Sequence, residues 1–285
     1  MPLISLIAPP GRLDPSLVMS LQSAFGATGD ALWLSPDEAV EFPVLAHPDN
    51  LDEVRGSLRD MAVDVNVIDT ANRRKTLLIA DMDSTMINQE CIDELAAEAG
   101  VGDRVAGITA RAMNGELDFE DAIIERVGLL RDLPVSIIDH VLATRITYAA
   151  GGETLVKTMK ANGAYAALVS GGFTQFTEKV ADALGFDETR ANTLIEADGK
   201  LTGKVGRPIL GQAAKVDALK ELAPDPTSAI AVGDGANDLG MIRAAGMGVA
   251  LHAKPVVAEA APIKINFGDL TALLFLQGYT RDEFL

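Results

Sequence analysis

Apolar and polar positions follow two different patterns along this chain. Residues 3–8, 31–35, 39–45 and 64–69 are short strand-like runs, and the segments 14–25 and 50–61 between them carry helical spacing. That order, strand-helix-strand-strand-helix-strand, predicts a small α+β unit over residues 1–72. Asp14 before Pro15 is a good helix start, because proline fits the first turn. The polar, basic stretch Asn72-Arg73-Arg74-Lys75 reads as a linker.

From residue 76 the pattern changes. Continuous apolar runs occur at 76–81 (TLLIAD), 164–170 (AYAALVS) and 229–234 (AIAVGD), with weaker ones at 247–251 and 263–267. Strands apolar on both faces and alternating with helices predict a parallel sheet covered on both sides, so residues 73–285 read as a doubly wound α/β domain. Asp198-Gly199 between 193–197 and 200–205 is a hairpin signal. The long helical stretch 90–145 is punctuated by Gly100, Gly115 and Pro134, with Asp118 and Ser136 as expected N-caps. It follows directly on a strand that ends in acids. It therefore reads as an inserted helical cap, about residues 88–149, covering that strand end.

Composition narrows the function. With 285 residues, 48% hydrophobic and 23% charged, the chain can bury a sizeable core plus a small domain. Its net charge of −17 disfavours nucleic acid and anionic membrane surfaces as partners. A phosphorylated substrate is repelled at long range too, so a phosphate site here needs its own positive charge. The single cysteine, Cys91, forms no intramolecular disulfide and fits a reducing, cytoplasmic setting. The start MPLISLIAPP lacks a basic n-region, and no apolar run approaches the ~20 residues of a membrane span.

Candidate chemistry follows the ends of the best strands, where open parallel sheets bind ligands. These segments are Asp81-Met82-Asp83-Ser84-Thr85, Ser170-Gly171-Gly172 and Gly233-Asp234-Gly235-Ala236-Asn237-Asp238; Lys215 lies on the helix before the third. A carboxylate at a strand end can attack phosphorus and split one hard displacement into two easier ones, which suits Asp81. Asp83, two residues on, can protonate the leaving oxygen and later deprotonate water. Acids beside a phosphate need a hard cation; Mg²⁺ on Asp81 and Asp234 supplies it. Ser170 and the Gly171 N–H can bind phosphoryl oxygens, and Lys215 adds a fixed positive charge.

The segment DMDST resembles the DxDx(T/V) motif of the haloacid-dehalogenase-like phosphatases, and SGG, Lys215 and GDGAND resemble their later motifs in the same order. The similarity is closer still to the phosphoserine phosphatases, through 81–90 (DMDSTMINQE), 91–100 (CIDELAAEAG), 125–130 (ERVGLL), 170–173 (SGGF) and 233–238. It extends from about residue 76 to 270. The resemblance implies Mg²⁺-dependent hydrolysis of O-phosphoserine, the last step of serine biosynthesis. Asp81 would be the nucleophile and Asp83 the acid/base, with the Asp83 backbone carbonyl and Asp234 completing the metal ligands. It also implies that Ser170, Gly171, Lys215 and Asn237 hold the phosphoryl group. Glu90 and Arg126 would hold the amine and carboxylate of serine, under the apolar cap residues Met113 and Phe119.

Each feature has a plainer reading. A glycine pair usually marks a turn, Asn237-Asp238 can simply cap a helix, and Glu90 suits a helix start whatever its function. Cys91 reads as a small buried apolar residue rather than a nucleophile. The alternative activities are phosphotransfer, or hydrolysis of another small phosphomonoester such as phosphothreonine or phosphohomoserine. The unit 1–72 resembles an ACT-like regulatory module; a stability or dimerisation role, and with it a homodimer, is the competing reading.

Overall fold

The computed structural model describes residues 1–113 and 116–285, without the Met113 side chain. The N-terminal unit consists of β1 (Pro2–Ile7), α1 (Pro15–Phe25), β2 (Leu32–Ser35), β3 (Ala39–Pro43), α2 (Leu51–Ser57) and β4 (Asp64–Asp69). The Asp14 side chain caps α1 by accepting the Ser16 N–H, and Gly26 closes the helix in the left-handed conformation. The strands form an antiparallel sheet in the order β2-β3-β1-β4, a ferredoxin-like arrangement. On one face Ile4, Leu6, Val40, Phe42 and Val65 pack against Val18 and Leu21 of α1.

The other face is also buried. Ile7, Leu34, Ala39 and Ile68 join the core of the following domain. Beside them, Glu41, Ser5 and Asn66 form a cross-strand row, each at most 5% exposed. Asn66 replaces a strand neighbour, its Nδ2 donating to the Lys264 carbonyl while its Oδ1 accepts the Lys264 N–H, both at 2.9 Å. Asp64 accepts the successive N–H groups of Asn266, Phe267 and Gly268. Glu41 takes both Nη atoms of Arg73, whose Nε and Nη2 also donate to the Leu276 and Phe275 carbonyls. The stretch 72–75 links the two units, with Asn72 and Arg74 exposed and Arg73 and Lys75 turned inward. Each of its basic side chains has a partner far along the chain. Arg74 meets Glu283 and lies over the Tyr279 ring, and Lys75 donates to the Asn72 and Thr227 carbonyls.

The second domain is built on β5 (Leu77–Ala80), β6 (Tyr165–Phe173), β7 (Glu188–Asn192), β10 (Ala229–Gly233), β11 (Met247–Leu251) and β12 (Ile263–Ile265). They form a parallel sheet in the order β12-β11-β10-β5-β6-β7. The apolar runs are buried on both faces. Leu78, Ala80, Leu168, Ile230 and Val232 face one layer, and Leu77, Ile79, Ala167, Val169 and Ala231 the other. The covering helices are α7 (Gly152–Ala161), α8 (Thr174–Leu184), α9 (Gln212–Leu222), α10 (Leu239–Ala244), α11 (Pro255–Ala260) and α12 (Ala272–Leu276). The chain runs outward from β5 to β7, then returns to β10 on the other side of β5, so the switch point lies between β5 and β10.

The cap comprises α3 (Cys91–Glu98), α4 (Gly102–Met113), α5 (Phe119–Gly128) and α6 (Ser136–Thr144). Its two legs pair at Ile87 and Tyr148, and Asn88 and Gln89 bond to Thr147 alongside. Asp118 caps α5 through the Asp121 N–H. Ser136 caps nothing; it is the first residue of α6, because Pro134 and Val135 already turn the chain with helical bonds to Ile137 and Ile138. Gly115 lies outside the described residues. The hairpin of β8 (Leu194–Ala197) and β9 (Lys200–Val205) turns at Asp198 and Gly199, both with positive φ, and supports the cap at Pro134. No described helix is long and apolar enough to cross a membrane.

Candidate active site

The chemistry collects at the switch point because the strands stop there and their last peptide groups fix the acids. Asp81 extends β5 by one residue, its N–H donating to the Val232 carbonyl. One carboxylate oxygen of Asp81 accepts the Met82 N–H at 2.8 Å and faces Lys215 Nζ at 2.6 Å. Lys215 reaches in from α9, is 2% exposed, and also contacts Asp238 at 2.6 Å. Asp238 accepts the Gly235 N–H with its other oxygen. A side chain at Gly233 would sit 2.3 Å from the Asp238 carboxyl carbon, so only glycine lets the loop close. Asp83 lies across from β6, and its Oδ1 accepts the Cys91 N–H at 3.3 Å. A Cβ on Gly172 would stand 2.9 Å from the other oxygen. The Gly172 N–H donates to Ser170 Oγ, and β6 is irregular here, continuing through Phe173 instead of ending at residue 170.

Burial dominates the electrostatics. It pushes the Asp83 carboxyl up to about 8, helped by Glu90 and Asp81. It pushes Asp234 up to about 6, against the pull of Lys254. Asp238 is raised by burial and by Asp81. Burial alone would lower Lys215, but Asp81 and Asp238 outweigh it and hold the ammonium above its usual value. The site is short of positive charge. Oxygens of Asp81, Asp234 and Asp238 lie within 4.8 Å of one another, a donor set for a cation. Asp238 has both oxygens engaged, so Asp81 and Asp234 are the carboxylates free to hold one. Among the described residues no histidine or cysteine joins this set, and an all-oxygen site suits Mg²⁺.

Above these acids lies a cavity of about 690 Å³. Asp81, Asp83, Asp234, Ser170, Gly171 and Asn237 line its floor, and Glu90, Arg126 and Phe119 line the cap side. Lys215 lies beneath the floor. Met113 is the remaining expected residue, and its side chain lies outside the described residues. Glu90 stands at the N-terminus of α3, where its carboxylate accepts the Ser84 hydroxyl at 2.8 Å. Arg126 is half-buried on α5, and among the described residues no carboxylate is within ion-pair distance of it. Burial lowers its pKa against the pull of Asp93 and Glu90. The Phe119 ring passes close over Gly171 and Gly211, where a Cβ would meet it at 3.2 and 3.3 Å.

Some lining residues lie outside the sequence expectation, among them Thr109, Gln212 and Lys254. For Lys254 a signal exists, since it follows the C-terminal end of β11, the side of the sheet that binds ligands. Thr109 and Gln212 sit on helices with no pattern of their own to mark them.

A model of the haloacid dehalogenase-like hydrolases matches residues 78–243, and the chain belongs to that family. A phosphoserine phosphatase of Streptomyces coelicolor is 44% identical over 229 residues, which are 78% of this chain and 56% of that protein. The crystal structure of a hydrolase of the same family from Salmonella enterica serovar Typhi has a TM-score of 0.88 at 31% identity, covering 97% of this chain and 98% of that one. A probable phosphoserine phosphatase from Vibrio cholerae gives 0.80 at 34% identity, covering 99% and 88%.

Proposed function

We propose that this chain hydrolyses O-phosphoserine to serine and phosphate through an aspartyl-phosphate on Asp81. One observation carries the reading. A single cavity joins the strand-end acids to Glu90 and Arg126, two opposite charges suited to an amino acid's ammonium and carboxylate. The relatives named phosphoserine phosphatase support the same substrate.

Held by Lys215 and the Met82 N–H, Asp81 attacks phosphorus as the serine oxygen leaves. Asp83 carries a proton near neutral pH because burial keeps its carboxyl high, and gives that proton to the leaving oxygen. As a carboxylate it then takes a proton from the water that attacks the acyl phosphate, releasing phosphate and restoring Asp81. Ser170, the Gly171 N–H, Asn237 and Lys215 hold the phosphoryl oxygens. Mg²⁺ on Asp81, Asp234 and the Asp83 carbonyl would neutralise phosphoryl charge when bound. The reading places the reaction in the cytoplasm, which the single, buried Cys91 supports. A homodimer through the N-terminal unit is supported by its edge strand β2, where Leu32 is 57% exposed.

A phosphate-release panel tests the substrate. O-phosphoserine, phosphothreonine, phosphohomoserine and p-nitrophenyl phosphate are compared with Mg²⁺ and with excess chelator. Phosphoserine should show the highest kcat/KM, and chelation should abolish turnover. Equal rates on all esters would leave a phosphatase of another specificity, and full activity in chelator would contradict the mechanism.

A further inference from the structure

We infer that Lys254 is a further phosphate-binding residue, one that pairs with Asp234 in the cation-free site and turns to the substrate's phosphoryl group once a cation takes that carboxylate. The inference rests on the proposed phosphoester chemistry and adds a residue to it.

Lys254 follows β11, and its N–H donates to the Asp234 carbonyl at 3.1 Å, which ties this loop to the end of β10. Its Nζ lies 3.5 Å from an Asp234 oxygen, with the lysine side chain 51% exposed and the aspartate 9%. The two lysines of the site therefore differ. Lys215 is buried between Asp81 and Asp238 and in contact with both. Lys254 faces the open cavity, and Arg126 is the other cationic side chain lining it among the described residues. Arg126 belongs to the cap, so Lys254 is the mobile positive charge on the side of the sheet. Its contact with Asp234 is long and half-exposed, a weak kind of ion pair that is easily exchanged. A divalent ion on Asp234 would repel the neighbouring ammonium. The flexible four-carbon stem lets it move, and a phosphoryl dianion is then the strongest acceptor within the cavity. In a chain of net charge −17 this exposed cation also offers an incoming anion its first local attraction.

The test compares Lys254→Met and Lys254→Arg with the parent chain. Mg²⁺ affinity of the metal-free protein is measured by titration calorimetry, independently of turnover. Lys254→Met should bind Mg²⁺ more tightly, because the competing ammonium is gone. In steady state its KM should rise about tenfold for both O-phosphoserine and p-nitrophenyl phosphate, with kcat nearly unchanged, and this KM should lose most of its salt dependence. Lys254→Arg keeps the charge and should restore most of the affinity. An unchanged KM on both esters would overturn the inference. So would weaker Mg²⁺ binding with a parallel fall in kcat, which would show that Lys254 only holds the end of β10. If phosphoserine proves not to be the preferred ester, the calorimetry and the p-nitrophenyl phosphate KM still decide the role of Lys254.

Discussion

The N-terminal sheet and the helical cap both pack on the same α/β core, yet their polar ties to it are of opposite kinds. The sheet is fixed by buried groups. Arg73 and Glu41 are 14% and 7% exposed at their side chains, and Asp64 and Asn66 bond directly to the backbone around β12. The cap shares apolar core through Ile92, Leu95, Ile123 and Val127, but a cavity interrupts its contact with the strand ends. Its ion pairs lie near water, as with Arg207 and Glu120, at 63% and 47% exposure. Breaking a buried pair leaves an uncompensated charge, whereas a surface pair has little effect on stability. The unit that carries Glu90 and Arg126, the proposed readers of the substrate, is thus the one whose ion pair with the core is exchanged at small cost.

The largest effect should come from the buried tie. Glu41→Ala leaves Arg73 unpaired and should cost about 3–5 kcal/mol of stability in a urea titration, with turnover per folded molecule near that of the parent chain. A chain starting at Arg73 should also be poorly stable, because it bares the apolar surface that Ile7, Leu34, Ala39 and Ile68 cover, despite the separate apolar pattern of residues 1–72. A loss below about 1 kcal/mol for Glu41→Ala would show a loosely docked domain and remove the contrast.

The cap side is read in kinetics. On the proposed reading, Glu90→Gln and Arg126→Ala should each leave a substrate charge unpaired, at about 2–5 kcal/mol, roughly 30-fold or more in kcat/KM for O-phosphoserine. With p-nitrophenyl phosphate, which lacks both charged groups, the loss should be much smaller. Equal losses on both esters would mean that these residues support the fold.

Between the two units, the strand-end acids should link stability to pH. Asp83 and Asp234 sit at about 8 and about 6, above their ordinary 3.8. In the metal-free protein their stabilising contribution is complete below about pH 4. It is lost as pH rises through 6 and then 8. The proposed Mg²⁺ would bind the deprotonated site, so the gap in melting temperature between protein with Mg²⁺ and chelated protein should widen from pH 5 to 8. A gap that narrows would contradict the arrangement. The smallest effect belongs to the cap surface, where Glu120→Gln should change stability by less than about 1 kcal/mol.

The parallel sheet is legible in the sequence because a strand buried on both faces has no polar alternation to lose, as in 76–80 and 229–233. The acids are legible because Asp81 and Asp234 follow those runs at once, where a parallel sheet binds ligands. The hairpin at Asp198-Gly199 is legible from turn chemistry alone. What escapes is whatever depends on a distant partner. Glu41, Ser5 and Asn66 occupy the alternate face that a half-buried sheet would show to water; the following domain buries it, with Arg73 on Glu41, Lys264 on Asn66 and apolar core on Ile7, Leu34, Ala39 and Ile68. The partners of Arg73 and Lys75 in the linker 72–75 are hidden from the sequence for the same reason. Glu90 and Arg126 look like ordinary helix residues, and their placement in one cavity follows from how α3 and α5 fold over the strand ends.

The proposed nucleophile is Asp81. In a rapid-quench experiment with O-[³²P]phosphoserine and Mg²⁺, acid-stable, hydroxylamine-labile label should accumulate on the protein and map by peptide analysis to Asp81. Asp81→Asn should carry no label and show only background turnover. Label on any other residue, or turnover by Asp81→Asn comparable to the parent chain, would contradict it.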